Sequence, residues 1–119
     1  MVETTSVEYT TLVRCTPDLL LAVKADLPLL GAQLVAEELI TPDKYREIIN
    51  PYNPLEKRAA ELVQLVQDKV RQNAQYYRTF RTVLEKDCLQ YSDILEKLHH
   101  TYKATSSHNT GMFYAVMPA

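Results

Sequence analysis

The chain has 119 residues, a formal net charge of -2, 46 % hydrophobic and 24 % charged residues. That is one ordinary globular domain, with nothing to draw the whole chain to nucleic acid or an acidic membrane surface. Its two glycines, Gly31 and Gly111, cannot build a P-loop or a dinucleotide fingerprint, which need clustered glycines so that backbone can approach phosphate.

In chain order, the opening "MVETTSVEYTTLVRC" has neither the basic start nor the apolar run of a secretory leader. Residues 1–15 read as an extension or a bent first turn of a helix. "TPD" at Thr16 to Asp18 predicts a helix start: Thr16 as N-cap, Pro17 at the first position, Asp18 at the positive end of the dipole. Leu20, Val23 and Leu27 then recur at helical spacing. After Pro28, Leu30, Leu34 and Leu39 follow. The longest apolar stretch, "DLLLAVKADLPLLGAQLVA", is interrupted by Lys24, Asp26 and Pro28, which argues against a bilayer span.

A second "TPD" at Thr41 to Asp43 predicts a short third helix, with Tyr45, Ile48 and Ile49 on one face and Asp43 and Glu47 on another. Pro51 falls in the following linker. "NPLE" at Asn53 to Glu56 resembles a capping box with Asn53 as cap. It opens a long stripe of Ala59, Leu62, Val63, Val66 and Val70 at i, i+3, i+4, i+7 spacing. Tyr77, Phe80 and Leu84 mark a fifth helix, flanked by Arg78 and Arg81. Leu95, Leu98 and Tyr102 mark a sixth, with Ser92 as its N-cap. Residues 104–119 read as a polar loop, then an apolar stretch: a tail or linker. No segment alternates with period two. The expectation is an all-α, compact six-helix antiparallel bundle over residues 16–103, because isolated helices this short are marginal in water and must pack on one another.

Residues with chemical potential are few. Cys15 and Cys88 lie far apart without a partner motif, so the reading is two reduced thiols in a cytoplasmic protein. His99 and His100 are adjacent and point in different directions on a helix, where metal ligands need three- or four-residue spacing. With His108 they complete no metal-ligand pattern. No cofactor and no enzyme activity are expected.

The order "LPLLGAQLVAEELITPDKYREIIN", "EKRAAELVQLVQDKV", "YYRTFRTVLEK", "YSDILEKL" resembles the caspase-recruitment domain (CARD) of the death-fold superfamily. The positions that carry the likeness are Leu29 and Leu30; Ile40, Thr41, Tyr45 and Ile48; Arg58, Ala59, Leu62, Val63 and Val66; and Tyr77, Phe80 and Leu84. The likeness as a whole covers roughly residues 17–102. Pro17 departs from the family pattern by shortening or splitting the first helix. The resemblance implies a Greek-key death fold and a homotypic interaction module. Such a module binds other CARD-containing proteins and itself, and forms oligomers that include helical filaments. It recruits signalling partners in apoptosis or innate immunity, without nucleic acid or membrane. It also implies a basic face of Lys24, Lys57 and Arg58 set against an acidic face of Glu37, Glu38, Asp43 and Glu47. The plain alternative is that these are solvated surface charges, as helix charges usually are. Lys57 and Arg58 stand out, because they lie near a helix N-terminus, where the dipole disfavours cations. The rival function is a monomeric helical adaptor holding a single partner helix in a groove.

Overall fold

The computed structural model describes residues 6–87 and 89–116, with side chains to residue 106. Among these residues there is no strand. The elements are α1 (Val7–Arg14), α2 (Thr16–Val23), a 3-10 turn (Lys24–Asp26), α3 (Leu27–Ala36), α4 (Pro42–Ile48), α5 (Leu55–Gln72), α6 (Gln75–Glu85) and α7 (Ser92–Val116). The protein is an all-α bundle. Counting α1 and α2 as two arms of one bent helix gives the expected six. Cys88 and the side chain of His108 lie outside the described residues.

The bend between α1 and α2 has a simple cause. Pro17 has no amide hydrogen, so the carbonyl four residues back, Val13, lacks its helical donor. The Thr16 hydroxyl donates to it at 2.7 Å. Thr16 is therefore not the N-cap expected from its triplet. The chain runs through Cys15 (φ -92°, ψ 8°) with hardly a pause, and Cys15 holds the cap position without a side-chain bond. Gln67 of α5 straps the bend from outside: its carboxamide donates to the Leu12 carbonyl at 3.3 Å and to the Thr16 hydroxyl at 2.9 Å. α1 has a side-chain cap of its own, Ser6, which accepts from the Tyr9 amide at 3.1 Å.

The second triplet behaves as expected. Thr41 is extended (φ -86°, ψ 157°) and its hydroxyl accepts from the Lys44 amide at 3.2 Å. Two other starts are displaced by one residue, α5 late and α7 early. Pro54, not Asn53, holds the cap position of α5, because its own backbone is extended (φ -57°, ψ 144°) and the helix begins only at Leu55. Ser92 is already the first residue of α7. That last helix runs to Val116, so residues 104–116 continue it where a polar loop was expected. Thr105 is buried against α1 and its hydroxyl accepts from Arg14 at 3.2 Å.

The core takes one stripe from each helix. Leu12, Leu19 and Val23 meet Leu62, Val66 and Val70 of α5, with Phe80, Val83 and Leu84 of α6 and Ile94 and Leu98 of α7 closing the cluster. Each such side chain contributes roughly 1.5–3 kcal/mol on burial. The segment Thr16–Ala36 has the length and the mean hydropathy, 1.6, of a membrane span. It is nevertheless divided at Lys24–Asp26, where Asp26 leaves helical geometry (φ -155°) and caps α3. Its Leu19, Val23, Leu27, Leu30 and Leu34 all belong to the bundle core.

α3 and α4 meet over the first glycine. A Cβ on Gly31 would lie 2.8 Å from ring atoms of Tyr45, so only glycine admits this ring. The Tyr45 hydroxyl donates to the Pro28 carbonyl at 3.1 Å. Between these helices Glu38 sits at φ 63°. Its amide donates to Val35 and that of Leu39 to Leu34, the paired bonds of a Schellman stop.

Candidate functional site

The seven charged residues singled out from the sequence are distributed as follows. Lys24 ends α2, and its ammonium reaches Glu56 of α5 at 3.9 Å. That contact brings Lys24 to the same end of the bundle as Lys57 and Arg58, with Glu56 set among them. Lys57 is exposed and has no ion pair among the described residues.

Arg58 is committed elsewhere. Its Nε donates to the Asn53 carbonyl at 2.9 Å and its Nη1 to the Ile48 carbonyl at 3.3 Å. Ile48 is the last residue of α4. The guanidinium therefore sits at the negative end of one helix dipole while its backbone belongs to the positive end of the next. This accounts for a cation in the first turns of α5: Arg58 ties the end of α4 to the loop that leads into α5.

Glu37, Glu38, Asp43 and Glu47 are all exposed. Three have nearby partners: Glu37 with Lys86 at 3.5 Å, Glu47 with Lys44 at 3.5 Å, and Asp43 with Arg46. Exposed pairs of this kind are worth little and exchange readily. Lys44, Arg46 and Lys86 thus lie among these carboxylates. Glu38 has no ion-pair partner among the described residues.

Apolar exposure was missed from the sequence. Leu21 of α2 is 69 % exposed, Leu29 of α3 50 %, and Tyr52 in the α4–α5 loop 93 %. The signal was present in the register. In "DLLLAV" only one of three consecutive leucines can face inward at helical spacing, and Leu19, not Leu20, is the buried one. Leu21 and Leu29 thus add apolar surface to α2 and α3.

Cys15 is fully buried; burial pushes its thiol up, away from the thiolate a nucleophile needs. The imidazoles of His99 and His100 meet edge to face at 5.7 Å, and His100 reaches Glu96 at 3.6 Å.

Among known proteins, the chain matches no family model, no curated sequence and no solved structure.

Proposed function

We propose that the chain is a recruitment module of the death-fold type that acts by homotypic assembly in signalling, with itself and with like domains as partners. The observation that carries the reading is the succession of elements: a bent first helix, two short helices, a long one, and two more. That succession accompanies the likeness of "LITPDKYREII" and "RAAELVQLV" to the recruitment-domain pattern. The charged faces support it. Lys24 and Lys57 lie at one end of α2 and α5, while Glu38 sits in the turn between α3 and α4 and Asp43 and Glu47 on α4. Complementary patches on different faces make a head-to-tail contact, which need not close and extends into an open helix. Assembly then raises the local concentration of whatever is tethered to the module.

Light scattering across protein concentration and salt tests this reading. The expected result is a mass that rises with concentration and falls as salt screens the contact. A monomer at every concentration overturns it in favour of the single-partner adaptor.

A further inference from the structure

α1, α6 and α7 enclose a cleft of about 840 Å³, lined by Glu8, Tyr77, Arg78, Arg81, Glu85 and Tyr102 among others. None of the charged faces described above includes it. Its volume lies within the ~300–1,000 Å³ range of small-molecule pockets.

Two polar atoms in this lining are buried without a partner: the Tyr77 hydroxyl and Arg81 Nε. Tyr77 is 5 % exposed. A buried polar group without a partner is costly, and native structures seldom leave one so. Here two occur one helical turn apart, at i and i+4 on α6. Arginine Nε can only donate, and a neutral tyrosine hydroxyl can donate as well. Both therefore call for an acceptor.

The neighbouring carboxylates do not supply one. Glu85 stands four residues on from Arg81, at the spacing of a helix ion pair, yet no such pair forms among the described residues. Glu8 already accepts from the Tyr102 hydroxyl at 3.2 Å. The Tyr102 ring stacks on Tyr77 with centroids 5.5 Å apart and planes 20° apart, which holds the plane of the Tyr77 ring. Arg78, next in sequence to Tyr77, adds a second guanidinium to the lining.

We propose that this cleft binds a small organic phosphate, its phosphoryl oxygens accepting from Arg81 Nε, the Tyr77 hydroxyl and Arg78. A phosphate monoester carries three acceptor oxygens and about two negative charges. Its three oxygens match the three donors better than a carboxylate, which offers two; Glu8 and Glu85 in the same lining offset the two guanidinium charges, so the match lies in the donors and not in net charge. The remaining volume accommodates the organic part.

Calorimetric titration with phenyl phosphate, benzoate and inorganic phosphate tests the proposal, with amide chemical shifts to locate the site. The expected result is saturable binding of phenyl phosphate with shifts centred on residues 75–85. Benzoate and inorganic phosphate should each bind at least about ten-fold more weakly. Tyr77→Phe should weaken phenyl phosphate roughly ten- to hundred-fold, the worth of a hydrogen bond to a charged group. It should leave the melting temperature of the free protein unchanged or raised, since the hydroxyl it removes has no partner. Arg81→Gln should weaken binding at least as much. No binding at millimolar phenyl phosphate overturns the proposal. So does undiminished affinity in Tyr77→Phe, or benzoate or inorganic phosphate binding as tightly as the ester.

Discussion

Glu38 is held in the left-handed region at φ 63° because α3 must stop and Leu39 must turn back onto the core. A Cβ in that region is strained; glycine occupies it freely. Glu38→Gly should stabilise the protein by about 0.5–1 kcal/mol, and Glu38→Asn by a smaller amount. Urea unfolding would check this: the midpoint should rise with an unchanged slope. Tyr77 makes a second prediction at this scale. Burial pushes its hydroxyl up to about 12 from an ordinary 10, with Arg81 opposing the shift. The fold favours the neutral phenol, so its stabilisation is complete below pH 10 and is lost as pH rises from 10 through 12. The loss should reach about 2–3 kcal/mol above that window. Burial raises Tyr91 and Tyr102 as well, so they act in the same direction. Denaturant titrations from pH 8 to 12 should show a steep alkaline decline that Tyr77→Phe blunts. An equal decline in that variant would mean that other groups drive it.

Elements begin and end in this chain according to what precedes them, and that decides what a sequence reading can reach. Thr16 and Thr41 carry the same "TPD" triplet, yet only Thr41 caps a helix. Thr16 follows the last turn of α1, whose carbonyls still need donors, so the helix continues through it with a bend. A local triplet does not reveal that a helix already arrives in register. The stripes of α5 and α6 were legible, because Leu62, Val63, Val66, Tyr77 and Phe80 are spaced for a single buried face and all are buried. Contacts between elements were not legible. Arg58 reads as a misplaced cation until Ile48, ten residues back, is seen to accept from it. The continuation of α7 past residue 103 was hidden for a similar reason: Thr105 looks like loop composition but packs on Arg14 of α1. From the Arg58 contacts comes a prediction for the α4–α5 connection. Arg58→Met keeps much of the aliphatic stem and removes both hydrogen bonds. It should cost about 1–3 kcal/mol, the range for bonds made by a charged, partly buried group. Arg58→Lys should recover only part of this, since one ammonium does not span two carbonyls as a planar fork does. Thermal unfolding of the two variants would decide. A melting temperature unchanged in Arg58→Met would mean the clip is idle and Arg58 is free to serve as surface.

For the whole molecule, the question is whether the end of α5 that carries Lys57 meets the α3–α4 side of another copy. Arg58 is a poor probe of this, because changing it also loosens the α4–α5 connection. Lys57 is better suited, being exposed and without an ion pair among the described residues. Glu47 is its counterpart, exposed and paired with Lys44 at 3.5 Å, an arrangement that contributes little to the fold. Lys57→Glu and Glu47→Arg should therefore melt close to the parent and yet fail to assemble. Truncating one side of a desolvated charge pair costs about 2–5 kcal/mol of association, so a reversal should weaken each contact by roughly thirty-fold or more. Mixing the variants separates assembly from accidental loss. Lys57→Glu keeps its α3–α4 carboxylates, Glu47→Arg keeps its α5 lysine, and the two altered faces again carry opposite signs. The mixture should form complexes that neither variant makes alone, most strongly at low salt, where the interaction is least screened. Two variants that assemble like the parent at low and high salt would leave these residues as ordinary solvated charge. The exposed apolar positions Leu21 and Leu29 would then be the next place to look for the contact.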